Sequence, residues 1–111
     1  MNHEKLRCYK LLASVAEEIA RMVASWPRGN GYLIDQLSRA MASSLLNLAE
    51  GNGRSRFGKE RQRFFSISLG SISESSSCLD LALGRSLITE CASARLKSQI
   101  LLASRMIEAL P

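Results

Sequence analysis

The sequence is poor in the residues that most often build sheets and catalytic centres. Aromatic residues make up only 5% of its 111 residues, and it contains two prolines and one histidine. Leu, Ala and Ser are abundant instead, a composition that suits packed helices better than β-branched, aromatic-rich sheets. We therefore expect an all-α protein, and a chain of this length has room for a single domain over residues 1–111.

Cysteine and histidine are too few and too scattered for the usual metal and nucleophile chemistry. Cys8, Cys78 and Cys91 form no C-x-x-C pair, so neither a zinc site nor a disulfide framework is indicated, and buried free thiols in a reducing cytoplasm are expected. The only histidine is His3, which argues against a Glu-x-x-His di-iron site and against a histidine-activated nucleophile. No metal, cofactor or catalytic residue is predicted.

A long hydrophobic run is also missing. The apolar stretch Leu11 to Ala16 is cut short by Glu17 and Glu18, far below the roughly 18 apolar residues of a membrane span. We expect a soluble, cytoplasmic protein without a membrane partner.

Apolar residues do recur at helical spacing, in four segments that we place at about 4–25, 32–50, 58–83 and 90–109. Gly51 is predicted to close the second helix in a left-handed conformation, and Thr89 is predicted to cap the fourth. Because the connections are short, the sequence predicts an up-down-up-down antiparallel four-helix bundle.

Polar and small residues form stripes beside the apolar faces. The second helix carries Gln36, Ser43, Asn47 and Glu50, and the third carries the small residues Ser66, Gly70, Ser73 and Ser77. The first stripe indicates hydrogen bonding to a neighbouring helix or subunit, or else a solvated face. The second would allow close helix contact. Glu74 is expected to be partly buried beside Asn47 or Arg39, or to lie at the edge of an interface.

The stretch from Glu50 to Arg61, EGNGRSRFGKER, contains most of a phosphate-binding loop, because Gly53, Gly58 and Lys59 complete G-x-x-x-x-G-K. Such a loop follows a β-strand, and its Lys precedes a Ser or Thr that holds magnesium. Here a helix is predicted before the loop, and Glu60 occupies the hydroxyl position. The pattern therefore indicates a helix stop and a turn rather than a nucleotide site.

The net charge of +5 is concentrated in the same region. Its cations are Arg54, Arg56, Lys59, Arg61 and Arg63, with Glu60 as the one acid among them. Basic residues are unfavourable at a helix start, where the dipole prefers acids. We interpret the five cations as a candidate contact to a nucleic-acid backbone, the alternative being a solvated helix end.

The chain also resembles a known bacterial family of four-helix bundles. Arg39-Ala40, the run Ser43 to Gly53 (SSLLNLAEGNG), Phe64-Phe65 and Leu69 to Glu74 (LGSISE) carry the resemblance. They are similar to proteins encoded in 23S rRNA intervening sequences and to the accessory variability determinants of diversity-generating retroelements, over about Glu4 to Ala109. Most relatives have a proline where this sequence has Leu46.

The resemblance implies a ring-shaped homopentamer and, for the retroelement members, binding to nucleic acid and to a reverse transcriptase. It implies packing or subunit-contact roles for Arg39, Asn47, Glu50, Gly51, Gly70 and Glu74. Five copies of +5 would carry +25 around one axis.

Our leading hypothesis is a non-enzymatic oligomeric accessory protein that binds RNA or DNA through the cluster from Arg54 to Arg63, with a reverse transcriptase as a candidate further partner. The rivals are a protein-interaction scaffold without nucleic-acid binding and an enzyme that uses Glu50 or Glu74.

Overall fold

The computed structural model describes residues 3–55 and 57–111, and within these ranges all regular structure is helical. Helix α1 covers His3–Val23, α2 covers Gly31–Asn52, α3 covers Lys59–Gly84 and α4 covers Glu90–Glu108. Each boundary lies within two residues of the predicted one. The all-α fold class and the number of helices are confirmed. Helix α2 runs through Leu46 without a break.

The four helices share one apolar core. Each packs against its neighbours in sequence, α1 also packs against α4, and α2 and α3 form the most extensive contact. The core includes a leucine from every helix with no measurable exposure, Leu12, Leu37, Leu79 and Leu96. Full burial of such a side chain contributes about 1.5–3 kcal/mol, so this core holds the helices in place.

Serines set the close approach of α2 to α3. The Ser68 hydroxyl donates to the carbonyl of Ser44 at 2.6 Å, and the Ser43 and Ser71 hydroxyls lie 2.7 Å apart. The predicted small stripe makes no close helix contact within the subunit, because Ser66, Gly70, Ser73 and Ser77 are all exposed. That stripe lies about half a turn from the buried face of α3, where Ser68 and Ser75 lie.

Gly51 does not end α2 as predicted. It lies inside the helix and is buried, while the glycine with a positive φ is Gly29, in the connection from α1 to α2. A Cβ atom on Gly51 would lie 2.4 Å from Cε1 of Phe65. The glycine therefore provides space for an aromatic ring of α3 rather than a left-handed turn.

The connection from α3 to α4 is tightly defined. Ser86 is left-handed with φ 59°, its N–H donates to Leu83, and the N–H of Leu87 donates to Ala82. This is the Schellman pattern of helix termination. The predicted cap of α4 is present, since the Thr89 hydroxyl accepts from the N–H of Ala92 at 3.1 Å.

The cysteines are free, and two of the three are buried. Burial raises the pKa of the Cys8 thiol to about 11, and Cys78 is also buried. Cys91 is exposed, contrary to expectation, because it lies on the outer side of α4. None of the described helices has an apolar stretch that could cross a bilayer.

Candidate nucleic-acid interface

The candidate interface lies where α2 ends and α3 begins. The N–H of Gly53 donates to the carbonyls of Ala49 and Glu50, and the N–H of Arg54 donates to Gly51. Gly58 stands before α3 in an extended conformation and provides no side-chain cap. The short connection therefore brings the electronegative end of α2 near the electropositive start of α3.

Arg54 joins the two helices across this junction. Its guanidinium lies 3.3 Å from a carboxylate oxygen of Glu50 on α2 and 3.3 Å from one of Glu60 on α3. The same group lies 5.3 Å from the centre of the Phe64 ring, within cation–π range. Two acids therefore offset the charge of Arg54, and its main contacts link α2 to α3.

Arg61 does not belong to the exposed surface. Only 2% of the residue is exposed, and its guanidinium lies 5.1 Å from the centre of the Phe65 ring. The Nε and Nη2 atoms are buried without a hydrogen-bond partner. Its assignment as a nucleic-acid contact is therefore corrected. Two positions from Lys59 on a helix is about half a turn away, which places Arg61 on the inner side.

Lys59 and Arg63 are the predicted cations that remain available. Both are exposed, and in the described part of the chain neither forms an ion pair. Their spacing of four residues places them one turn apart on the same side of α3, about 6 Å along its axis. Arg56, also predicted for this interface, lies outside the described residues.

Two features of the junction are missing from the sequence-based prediction. Phe57 is 86% exposed and lies in sequence between the predicted cations. The Lys5 ammonium at the start of α1 donates to the carbonyl of Asn52 at 3.5 Å, a cation at the electronegative end of α2. The position of Phe57 between two cations, next to Arg56 and two residues before Lys59, was a visible signal in the sequence. Lys5 is distant in sequence, so no such signal pointed to it.

The predicted subunit-contact residues fall into two groups. Asn47 donates to the carbonyl of Ser43 in its own helix, and Arg39 pairs with Asp35 at 2.9 Å. Glu74 is exposed and bonds neither of them, so its predicted partners are corrected. Gly70 is also exposed, and a Cβ built on it would meet no atom within 4 Å beyond its own helical turn. Gly70 and Glu74 thus remain open on α3, whereas the others have partners inside the subunit.

The described residues form neither a phosphate-binding loop after a strand nor a cluster of metal ligands. A helix precedes the G-x-x-x-x-G-K stretch, and Glu60 is bound to Arg54. Within residues 3–55 and 57–111 no three His, Cys, Asp or Glu side chains are grouped to hold a metal ion. The junction offers exposed cations and an exposed aromatic ring, which are the groups that contact polyanions.

Fold and site together define a four-helix protein with a partly compensated basic junction between α2 and α3. The chain matches the model of the 23S rRNA-intervening sequence protein family over residues 4–109, and it belongs to that family. The resemblance to 23S rRNA intervening-sequence proteins stated from the sequence is thereby confirmed, whereas the resemblance to retroelement accessory proteins stays a prediction. No curated protein matches the chain at significant similarity.

Proposed function

We propose that this protein is a non-enzymatic, oligomeric accessory protein that binds RNA or DNA at the α2–α3 junction. The observation that carries the proposal is the pair Lys59 and Arg63, exposed and free of ion pairs among the described residues. The family takes its name from an intervening sequence of 23S rRNA, which favours RNA as the first ligand to test.

The chemistry of the junction favours contact with the nucleic-acid backbone and with unpaired bases. Two cations one helical turn apart can follow successive phosphates, and such contacts carry no base specificity. Phe57, with 86% of its surface exposed, is an aromatic side chain of the type on which unpaired bases stack. We therefore expect a preference for single-stranded or looped RNA over duplex.

The test is a charge reversal with a matched control. Lys59→Glu combined with Arg63→Glu should abolish the salt-sensitive part of RNA binding in a fluorescence anisotropy titration. Lys10→Glu combined with Arg28→Glu changes the net charge equally at exposed positions elsewhere and should retain most of the affinity. Equal losses in both variants would show that only overall charge matters, and unchanged binding in the first would refute the proposed site.

The second candidate is a protein-interaction scaffold. Glu50 and Glu60 offset Arg54 and weaken the positive field, which suits a specific acidic protein better than a long polyanion. The resemblance to retroelement accessory proteins suggests a reverse transcriptase as such a partner. Absence of binding to any nucleic acid at low salt, with retention of a specific protein partner, would favour this function.

We also infer an up-down-up-down topology and assembly into a cytoplasmic homopentameric ring. The topology is supported by contacts between opposite helix ends, Lys5 with Asn52 and Cys8 with Ala103. Free thiols suit a reducing compartment. Native mass spectrometry tests the ring directly, and a monomer at all concentrations would refute it.

A further inference from the structure

The outer face of the α2–α3 pair exposes several large apolar side chains. Tyr32 is 79% exposed, Leu46 64%, Leu81 59% and Ile67 40%. They come from both helices, and helical spacing places Ile67, Gly70, Glu74 and Leu81 on a single stripe of α3. Tyr32 and Leu81 lie together at one groove, and exposed apolar surface of this kind marks interaction sites in soluble proteins.

Part of this face is a groove of about 300 Å³ between α2 and α3. Tyr32 and Leu81 line it, together with Gln36, Ser77 and the buried Cys78. Glu74 and Arg85 are the charged groups at its lining. Arg85 donates to the side chain of Asn30 at 3.1 Å, whereas Glu74 has no hydrogen bond or ion pair with any described residue. The groove therefore combines an apolar wall with an unpaired carboxylate.

Helix α4 carries the complementary groups. Leu101 and Leu102 are each 52% exposed on its outer side, one turn before the exposed Arg105. The other two cations of α4 are already paired, Arg95 with Glu18 and Lys97 with Asp80. Arg105 has no ion pair within the described ranges. The outer side of α4 thus presents two apolar knobs and an unpaired cation.

We propose that α4 of a second copy of this chain docks in the α2–α3 groove. Leu101 and Leu102 of the second copy then lie against Tyr32 and Leu81, and its Arg105 pairs with Glu74. The proposal rests on the self-association included in the proposed function and adds the surfaces and the register.

The spacing of the groups agrees with an antiparallel arrangement of the two helices. Leu101 precedes Arg105 by four residues, about 6 Å along α4, and Leu81 follows Glu74 by seven residues, about 10 Å along α3. With Arg105 beside Glu74, Leu101 lies about level with Cys78 and Leu102 about level with Ser77, both of which line the groove, and Leu81 follows one turn further along α3. The Arg105–Glu74 ion pair and the apolar contact of the two leucines can therefore form together.

The two docking surfaces lie on different helices, so the contact is heterologous. Each copy would use its groove for one neighbour and its α4 for the other, and repetition about one axis closes a ring. Rotation about an axis parallel to the helices leaves their directions unchanged. The α4 of a neighbour then meets α3 in the same relative direction as the protein's own α4, which the contact of Asp80 with Lys97 supports as antiparallel.

The test is a charge swap measured by analytical ultracentrifugation. Glu74→Arg and Arg105→Glu should each shift the protein to smaller species, with at least a tenfold weaker association, and the double variant should restore the wild-type assembly. Both positions are exposed, so circular dichroism and the melting temperature of the subunit should change little. Glu17→Arg, at an exposed position of α1, makes the same charge change as Glu74→Arg and should assemble normally.

Three results would overturn the proposed contact: wild-type assembly of both single variants, failure of the double variant to restore assembly, or equal disruption by Glu17→Arg. Its failure is distinguishable from that of the proposed function. Loss of RNA binding in Lys59→Glu with Arg63→Glu, at unchanged mass, concerns the nucleic-acid site alone. An oligomer that tolerates the Glu74 and Arg105 single variants contradicts only the docking surfaces, and a wild-type monomer contradicts the assembly itself.

Discussion

Gly51 sets the distance between α2 and α3 by having no side chain. The Phe65 ring fills the space that a Cβ would need. A Cβ at position 51 would lie 2.4 Å from Cε1 and 2.5 Å from Cδ1 of that ring. The ring belongs to a buried part of α3, so it cannot move aside freely. We therefore expect Gly51→Ala to force the helices apart or the ring out of its rotamer, and to lower the free energy of unfolding by about 1–3 kcal/mol.

Gly70→Ala is the matched control for Gly51→Ala. Both glycines lie in helices, but a Cβ at position 70 would meet no atom within 4 Å beyond its own helical turn. Alanine there should raise stability by about 0.5–1 kcal/mol, because it is the better helix former. Urea unfolding of both variants checks the pair, and stabilisation by both substitutions would contradict the role given to Gly51.

Arg61 is a buried cation with two unpaired donor nitrogens. Each buried donor without an acceptor costs about 1–3 kcal/mol, whereas the contact with Phe65 returns about 0.5–2 kcal/mol. Arg61→Met retains apolar contact with the ring and removes the two unpaired nitrogens, Nε and Nη2. We expect its melting temperature to equal or exceed that of the wild type, and Arg61→Ala to be less stable than either. A clear loss of stability in Arg61→Met would mean that an acceptor reaches the guanidinium in solution.

At the residue scale, the sequence located the cations of the junction but did not predict which of them are exposed. The helical period of α3 places Arg61 on the inner side and Lys59 on the outer side. A count of charge alone does not separate them, because five cations lie within ten residues. Gly51 illustrates the same limit. A glycine near a helix end usually indicates a left-handed turn, and only the position of a ring from another helix shows that space was the reason.

At the scale of elements, the periodicity of apolar residues predicted all four helices, because each segment carries its own apolar stripe at helical spacing. The contacts between helices were harder to predict from the sequence. The buried face of α3 is rich in serine, with Ser68 and Ser75 among its buried residues, so it differs little in composition from the exposed stripe. The register of α2 on α3 therefore depended on hydrogen bonds that spacing alone could not predict.

The end of α3 carries a conformational cost that can be removed. Ser86 holds φ 59°, which disfavours residues with a side chain by about 1–2 kcal/mol relative to glycine. Ser86→Gly relieves that cost but frees the unfolded chain, so we expect a net gain of up to about 1 kcal/mol in the free energy of unfolding. Ser98→Gly on the exposed side of α4 should lower stability instead, and thermal unfolding of the two variants separates these effects.

The ion pair between α1 and α4 should make stability depend on pH. Glu18 accepts two hydrogen bonds from Arg95, and these lower the pKa of the Glu18 carboxyl below its usual value of 4.5. A lowered folded-state pKa means that the stabilisation is present above pH 4.5 and is lost as the pH falls through the folded-state value.

Glu18→Gln should therefore lower the melting temperature near pH 7, with a difference from wild type that disappears in strong acid. The pair is partly exposed, so salt should reduce the effect. Glu17→Gln, at the exposed neighbouring position, should show little pH-dependent difference. A difference from wild type that is the same at pH 7 and pH 2 would show that the Glu18 charge is not the cause.

At the scale of the whole molecule, the proposed assembly changes how a weak basic site behaves. One subunit presents Lys59 and Arg63 as exposed, unpaired cations at the described part of the junction. Two phosphate contacts give a shallow salt dependence, because each contributes about 0.7–0.9 to the slope of log K against log salt. A ring repeats the pair and adds the contacts wherever one RNA can reach several subunits.

The salt dependence of RNA binding should consequently follow the oligomeric state. Leu81→Gln combined with Leu101→Gln leaves the net charge and the junction unchanged but removes apolar contact from both proposed docking surfaces. We expect this variant to be smaller than the wild type by ultracentrifugation, and to bind a long single-stranded RNA with a smaller salt slope and lower affinity. Binding of a short oligonucleotide that spans one junction should be unaffected, which controls for the integrity of the site. A monomeric variant that retains the wild-type slope on the long RNA would mean that one subunit supplies all the phosphate contacts, and that the charge of the assembly plays no part in recognition.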